Sequence, residues 1–330
     1  MDFGKVDNPD NIDFTLPPDH KGTVALLKQL KKNKKVKPQV YVGCAKWGRK
    51  DWIGKIYPEG TKEKDFLDSY VKQFNAIELN ATHYKIPDIE TVKKWKSKAG
   101  NDFKFCPKFP QLISHIKRLK DADELTASFL EAIQGFEQNL GTCFLQLPPN
   151  FSPKNLQVLE DYLKSLPKEI EVCVEFRHPE WFKPSADNRD AFEMLENYKT
   201  GTVITDTAGR RDCVHQRLTT STAFIRFVGN NLHPTDYTRV NDWVMKIKEW
   251  LESGIRTVYF FMHQPEEAYS PELCAYAIRE LNKHCHLRLK EPLFITPHIN
   301  QPDLFTIQYL LAIIIIRSTR ESPIFTVEKY

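Results

Sequence analysis

The chain has 330 residues, of which 41% are hydrophobic and 27% are charged, and its formal net charge is +4. This is the balance of an ordinary soluble globular protein, and the chain is long enough to bury a large core. The small net charge permits an anionic ligand, whereas nucleic-acid binding is expected to show a dense basic face.

Residues 1–38 differ in character from the rest and are predicted to form a basic N-terminal extension that ends at Pro38. Its lysines crowd towards the end: Lys28, Lys31, Lys32, Lys34, Lys35 and Lys37. Such a run favours a solvated helix or linker that leads into the first strand. A contact with RNA or another anionic surface is the alternative.

After Pro38, short β-branched and aromatic runs alternate with longer amphipathic stretches. The strand candidates are 39–44, 76–80, 102–106, 142–147, 171–176, 202–205, 223–228 and 256–262. The helix candidates between them are 62–74, 88–98, 121–139, 153–166, 188–199, 236–252 and 270–285. The sixth crossover, 206–222, shows no clear helix.

This alternation predicts one (β/α)8 TIM barrel over residues 39–290, since eight β-then-α units can close without exposed edges. An open doubly wound sheet is the alternative. No strand is followed by a glycine-rich dinucleotide-binding turn, and the nearest match to a phosphate-binding loop, 43–50, has Arg49-Lys50 where Lys-Ser/Thr is required. No cofactor is therefore predicted.

Residues 291–330 are predicted to form an irregular C-terminal tail. Its apolar run, 310–316, is too short for a bilayer span, which needs about 20 residues. It is interpreted as an extra element outside the barrel or as read-through sequence, and no function is assigned to it.

Seven cysteines are spread along the chain without a CxxC pair, and several lie inside apolar runs. This distribution indicates buried, reduced thiols. The polar N-terminus lacks the apolar core of a secretory signal. A cytoplasmic protein without membrane contact is expected.

In such a barrel, the residues at the carboxyl ends of the strands face the ligand site, and here polar side chains end almost every apolar run. The predicted ligand-binding residues are Lys46, Trp47, Asn80, Tyr84, Lys108, Gln146, Arg177, His178, Asp206 and Arg226. Glu78 and Glu175 are the predicted catalytic residues. Because strand side chains alternate, Glu78 should share a face with Asn80, and Glu175 with Arg177.

Several of these runs carry a resemblance to a known family. They are YVGCAKW at 41–47, WIGKIYP at 52–58, FNAIELNATHY at 74–84, FKFCPK at 103–108, QLPPNF at 146–151 and VEFRHPEW at 174–181. Together they resemble the YecE-like family, also called domain of unknown function 72, over about residues 40–285. The resemblance implies a barrel like those of sugar isomerases and a pocket, but no established reaction.

Two positions depart from the family pattern. Family members commonly end strand 7 with Arg-x-His-Gly, whereas Arg226 is here followed by Phe227-Val228-Gly229. They commonly end strand 8 with Asn-Asn, where this chain has His263-Gln264. The role of Arg226 carries over from the family; that of the missing side chains does not.

Three functions remain open at this stage. The first is an enzyme for an anionic, phosphorylated or carbohydrate-like small molecule. Its basic side chains would clamp the anion, while burial would raise the pKa of one glutamate and Arg177 would keep the other ionised. Trp47, Tyr84 and Trp181 would offer ring faces.

The second is a divalent-metal-dependent hydrolase or isomerase using side chains from Glu78, His83, Glu175, His178, Asp206 and His263, although no metal motif is present. His115 is interpreted as a surface or helix-cap residue. The third is a nucleic-acid-binding or nucleic-acid-processing barrel, which the net charge disfavours. Whether the chain is an enzyme, and whether it has a protein partner, the sequence leaves open.

Overall fold

The computed structural model describes residues 3–31, 37–183 and 191–295. The described residues up to Leu293 belong to one compact unit. The lysines at 32, 34 and 35 and the apolar run at 310–316 lie outside the described residues. Within the described part of the chain, no helix is long and apolar enough to cross a membrane.

All eight predicted strands are present, and every strand pairing is parallel. They are β1 (Gln39–Cys44), β2 (Ala76–Leu79), β3 (Lys104–Pro107), β4 (Cys143–Gln146), β5 (Val172–Glu175), β6 (Gly201–Asp206), β7 (Thr222–Val228) and β8 (Thr257–His263). Six form a sheet in the order β1-β8-β7-β6-β5-β4, and β2 pairs with β3. The chain is therefore an α/β fold built on parallel strands.

The described α-helices follow the predicted pattern, with shorter bounds in several places. They are α1 (Lys21–Lys31), α2 (Phe66–Tyr70), α3 (Ala81–Tyr84), α4 (Ile89–Lys98), α5 (Asp123–Gln134), α6 (Leu156–Ser165), α7 (Ala191–Asn197), α8 (Pro234–Glu252) and α9 (Ser270–Cys285). The helix predicted over 62–74 is reduced to a 3-10 turn and α2, and that over 121–139 leaves the α conformation after Gln134. The sixth crossover holds only the 3-10 turn Arg211–Cys213, as predicted.

A continuous ladder of eight strands is not found among the described residues, because it is interrupted at two junctions. Between β1 and β2, the Asn75 side chain substitutes for the ladder: its Nδ2 donates to Val40 O at 2.9 Å, and its Oδ1 accepts from Val42 N at 2.8 Å. At the same junction a Cβ on Gly43 would lie 2.0 Å from Ala76 O, so only glycine allows this approach.

Between β3 and β4, isolated bridges replace the ladder. Phe105 pairs with Leu140 and Lys108 pairs with Phe144. In addition, Phe109 N donates to Phe144 O at 2.9 Å. These contacts place β3 beside β4 without making them one sheet.

One buried cluster receives a side chain from every strand. Its members are Tyr41, Ala76, Cys106, Phe144, Cys173, Val203, Phe224, Tyr259 and Phe261. Tyr41 stacks on Tyr259 with ring centroids 5.1 Å apart, and Phe144 contacts Phe224 at 5.3 Å. Aromatic contacts of this kind add about 0.5–1.5 kcal/mol each beyond the area they bury.

The N-terminal segment lies against this unit. Thr23 of α1 is fully buried, and its Oγ1 donates to Gln216 O at 2.8 Å and accepts from Leu218 N at 2.8 Å. Further towards the N-terminus, Phe3 O and Gly4 O accept from Thr207 Oγ1 at 3.3 and 3.1 Å. These contacts bring residues 3–31 to the loops that follow β6, so α1 is only partly solvated.

Candidate functional site

Three charged side chains meet in the interior from three strands. Glu78 is the penultimate residue of β2, Glu175 is the last residue of β5, and Arg226 lies within β7. Arg226 donates to Glu78 twice, from Nε to Oε2 at 2.8 Å and from Nη2 to Oε1 at 2.7 Å. Its Nη1 donates to Glu175 Oε2 at 2.8 Å. One guanidinium thus joins the two-stranded sheet to the six-stranded sheet.

Each carboxylate oxygen of Glu78 also has a second partner. Asn80 Nδ2 donates to Glu78 Oε1 at 2.8 Å, as the shared strand face predicted, and His263 Nε2 lies 2.9 Å from Oε2. Burial alone would raise the pKa of Glu78, but the charges of Arg226 and His263 hold it well below its usual range. Glu78 is therefore a buried, ionised carboxylate.

Glu175 is held in the same way. Its Oε1 accepts from Arg177 Nε at 2.9 Å and from Thr205 Oγ1 at 3.0 Å. Burial works to raise its pKa, but Arg177 and Arg226 outweigh burial and lower it to about 2. The expectation that one glutamate has a raised pKa is therefore wrong, because Arg226 acts with His263 on Glu78 and with Arg177 on Glu175 to favour the ionised carboxylates.

The pKa of Lys108 is shifted strongly towards neutral pH. It follows β3 directly and is buried, and its Nζ donates to Gln146 Oε1 at 2.8 Å. Burial and the neighbouring charge of Arg226 lower its pKa to about 7. Because the amide of Gln146 is neutral, it offers no charge to restore the ammonium.

Arg177 is buried but only partly bonded. The residue is 8% exposed, and Nε donates to Glu175. Within the described residues, Arg177 Nη2 is buried and has no hydrogen-bond partner. The Phe3 ring covers the guanidinium at 4.1 Å. A buried donor without a partner lowers the stability of the fold by about 1–3 kcal/mol. The Arg177 guanidinium can therefore still bind a hydrogen-bond acceptor.

Two histidines border the same cluster. The rings of His83 and His115 meet edge to face at 5.1 Å, and His83 Nδ1 lies 2.8 Å from Phe109 O. Burial and the charge of Lys108 lower both pKa values to about 4. His115 is therefore not simply a surface residue: the π-helix Leu112–Ile116 turns its ring towards His83. The spacing of residues in the sequence does not predict the contact between His83 and His115.

Glu78, Glu175, Arg226, Lys108 and Arg177 are termed the buried charge cluster. Its balance is three cationic groups against two carboxylates, with the two histidines beside it. Both carboxylates are used by Arg226, and neither is hydrogen-bonded to Lys108 within the described residues. The electrostatic surplus in the cluster is therefore positive.

The other predicted ligand-binding residues lie elsewhere. Lys46 is exposed, Trp47 contacts Trp95 at 5.4 Å, and Tyr84 is 72% exposed. His178 Nδ1 accepts from Glu180 N at 3.2 Å and so caps the turn that follows β5. These four residues are not members of the cluster.

Asp206 lies on the other face of its strand. Thr205 points to Glu175, so alternation turns Asp206 outward to α8. There its carboxylate accepts from Arg239 Nη2 at 2.7 Å and from Trp243 Nε1 at 2.6 Å. Trp181 is also buried, with Nε1 donating to Phe151 O at 2.6 Å. Neither side chain is turned to the buried charge cluster.

The six candidate metal ligands do not assemble. Glu78 and His263 meet each other, while His83, His178 and Asp206 have the separate partners described above. In the described ranges, no group of three or more His, Cys, Asp or Glu side chains is arranged to hold a metal ion.

A cavity of about 260 Å³ lies at the opposite ends of the strands, beside Glu171, Lys199 and Thr220.

The comparisons with known proteins agree on one family. The family model described as "Protein of unknown function DUF72" matches residues 41–294. The chain belongs to the DUF72 family. It is 31% identical over 262 residues to the UPF0759 protein YecE of Escherichia coli K12, covering 74% of this chain and 93% of YecE. With the UPF0759 protein YunF of Bacillus subtilis it shares 28% identity over 153 residues, 44% of this chain and 53% of YunF.

Two solved DUF72 structures are similar in fold. One, from Enterococcus faecalis, has a TM-score of 0.61 at 15% identity and covers 78% of this chain and 98% of its own. Another, from Thermotoga maritima, has a TM-score of 0.55 at 27% identity and covers 76% of this chain and 100% of its own. Membership in DUF72 establishes no substrate or reaction.

The two departures from the DUF72 pattern lie side by side in the sheet. Val228, one of the two positions that depart from the resemblance, is the register partner of His263 on β8. His263 in turn contacts Glu78 at 2.9 Å. In this chain the imidazole beside Glu78 therefore comes from β8.

Proposed function

We propose that this DUF72 chain is a closed (β/α)8 barrel and that it is an enzyme acting on an anionic small molecule at the carboxyl ends of the strands. Closure is supported by the buried cluster to which every strand contributes. It is supported further by Arg226, which reaches both β2 and β5, because only an enclosed interior lets one side chain of β7 contact both.

The anion site is carried by one observation: Arg177 Nη2 is a buried donor without a partner. Guanidinium groups match the oxygens of phosphate and carboxylate, and a bound anion would complete this donor. Lys108, when protonated, would supply a second positive charge. Burial is the largest cause of the lowered pKa values of Lys108, His83 and His115. Nearby positive charges add to it, and a bound anion would relieve that second cause.

Glu78 and Glu175 stay candidates for proton transfer, but as bases. Both are held ionised, so neither is a proton donor near neutral pH. To accept a proton, either carboxylate would first have to give up a hydrogen bond from Arg226 or its other donors. Their first task in the proposed enzyme is to hold Arg226 in place.

We also propose a reducing compartment, the cytoplasm, for this chain. All seven cysteines are free. Cys44 and Cys274 are buried with their sulfur atoms 3.5 Å apart and remain thiols. An oxidising compartment would favour joining such a pair.

Binding of inorganic phosphate to the intact protein tests the anion site. Phosphate should raise the unfolding temperature, since a ligand that binds only the folded state stabilises it by RT ln(1 + [L]/Kd). Arg177→Met should abolish the rise, while Arg279→Met, which changes a half-exposed arginine of α9, should keep it. An equal rise in both variants contradicts the site.

A panel of phosphorylated and carboxylated compounds then tests the enzyme. Any compound that raises the unfolding temperature through Arg177 is assayed for turnover by mass spectrometry. Glu175→Gln should keep the binding and lose most of the turnover. Binding without turnover of any panel compound in the unaltered protein would reduce the proposal to a binding protein.

A further inference from the structure

We propose that Lys108 is the nucleophile of this site and forms an imine with an aldehyde or ketone whose carboxylate or phosphate is held by Arg177. This rests on the anion-binding function proposed above and narrows its substrate class to anionic carbonyl compounds. It changes the role of Lys108 from a counter-charge to a reacting group.

The first support is the set of partners around the Lys108 amine. Its Nζ has one hydrogen bond in the described structure, to the neutral Gln146 Oε1 at 2.8 Å. The two carboxylates of the cluster are taken by Arg226 instead. A lysine kept for ion pairing would be expected to meet one of them.

The second support is the enclosure of the amine among cations. Lys108 is 7% exposed, and the charges of Arg226 and Arg177 both oppose its protonation. With a pKa of about 7, about half of the Lys108 amines carry a free lone pair at neutral pH, against fewer than about one in a thousand for an ordinary lysine. The arrangement therefore makes a nucleophile without a separate base.

The third support is the Arg177 guanidinium. Its charge helps to lower the pKa of Lys108, and its buried Nη2 has no hydrogen-bond partner in the described structure. An anionic group bound there would hold the carbonyl of the same molecule near the amine. Fixing both partners in this way removes much of the entropy that opposes a bimolecular addition.

The step balances without an oxidant or reductant. The lone pair of the neutral amine attacks the carbonyl carbon, a C–N bond forms, and the C=O electron pair moves to oxygen, which takes a proton. The nitrogen of this carbinolamine loses a proton, and its hydroxyl leaves as water after protonation. The resulting iminium ion then loses the second nitrogen proton to give the imine. The net change is amine plus carbonyl to imine plus water, with the protons exchanged with solvent.

Borohydride trapping on the full chain tests the inference. The protein is incubated near pH 7 with glyoxylate, glycolaldehyde phosphate or uncharged glycolaldehyde, then reduced and mapped by peptide mass spectrometry. Hydride adds to the imine carbon and leaves a stable secondary amine on the modified lysine. The two anionic aldehydes distinguish carboxylate from phosphate as the preferred group.

We expect Lys108 to be modified by at least one anionic aldehyde at least about tenfold more than Lys104 of the same strand. Inorganic phosphate should compete, and Arg177→Met should lose the preference for the anionic aldehyde over glycolaldehyde. Modification of Lys108 no greater than that of Lys104 overturns the nucleophile. Equal modification by glycolaldehyde and by both anionic aldehydes overturns the anionic substrate class.

The failure of this inference is separable from failure of the proposed function. If phosphate still raises the unfolding temperature through Arg177 but Lys108 is not trapped, the anion site stands and the imine does not. If phosphate has no effect either, both are lost. Circular dichroism of Arg177→Met establishes that the variant is folded before its result is counted.

Discussion

Replacing Lys108 by methionine removes a titrating charge from the buried charge cluster while keeping a similar side-chain volume. In the unaltered protein, the amine is buried beside Arg226 and Arg177, and its pKa falls from 10.5 to about 7. The unfolded chain therefore binds a proton between these two pH values that the folded chain does not. Stability attributable to Lys108 rises with pH across this window, since the unfolded state holds more protons there.

The size of the effect follows from the two pKa values. Burying Lys108 costs roughly 4–5 kcal/mol near pH 6, where the folded protein must hold the charge, and about 2 kcal/mol near pH 9. Methionine removes this term at both pH values. It also leaves Gln146 Oε1 without its donor, which costs about 1–3 kcal/mol independently of pH. The stability difference between Lys108→Met and the unaltered protein should thus change by about 2–3 kcal/mol in favour of the unaltered protein from pH 6 to pH 9.

Urea unfolding at the two pH values measures this change. Lys104→Met is the matched control, because Lys104 lies on the same strand with Nζ donating to Gln138 O at 2.6 Å near the surface. The control should change by less than about 0.5 kcal/mol between the two pH values. If the Lys108→Met difference is the same at both, the amine is an ordinary ammonium, and the basis for its nucleophilic role is removed.

Three further outcomes are expected. Arg226→Met leaves the buried carboxylates of Glu78 and Glu175 unpaired and should lower the free energy of unfolding by about 3–5 kcal/mol; a loss below about 1 kcal/mol in urea would show that they are not paired through Arg226. Glu175→Gln should be destabilising near neutral pH, and since the pKa of Glu175 is lowered to about 2, this difference should shrink in acid titrations as the pH falls from about 4.5 through 2. Phe3→Ala uncovers Arg177 and should tighten phosphate binding measured by calorimetry, whereas an unchanged Kd would mean that the ring does not compete with the anion.

Several features of this site could be predicted from the sequence because they depend on local periodicity. Alternation predicted that Glu78 lies beside Asn80 and Glu175 beside Arg177, and both pairs are hydrogen-bonded, although β2 ends at Leu79 and β5 at Glu175. The position of Lys108 directly after β3 likewise follows from where an apolar run ends. These are properties of one strand at a time.

A one-residue difference in a strand boundary was enough to alter the prediction for Asp206. The predicted strand ended at Thr205, which made Asp206 the first residue of a loop facing the ligand. The strand instead runs from Gly201 to Asp206, so alternation turns Thr205 inward and Asp206 outward to Arg239. Strand ends are poorly marked in sequence because the last residue is set by pairing with the neighbouring strand.

The sequence by itself determined the order of strands and helices, the end of the strands where the charges gather, and the five residues of the buried charge cluster. Only the tertiary structure decided which charges are paired. Arg226 lies 148 residues from Glu78 and 51 from Glu175, and it contacts both. Arg177 also donates to Glu175, which leaves Lys108 as the cation without a carboxylate partner in the described structure. The pKa of each group depends on its burial and on the charges around it in three dimensions. The direction of its shift therefore follows from the tertiary structure and not from the sequence alone.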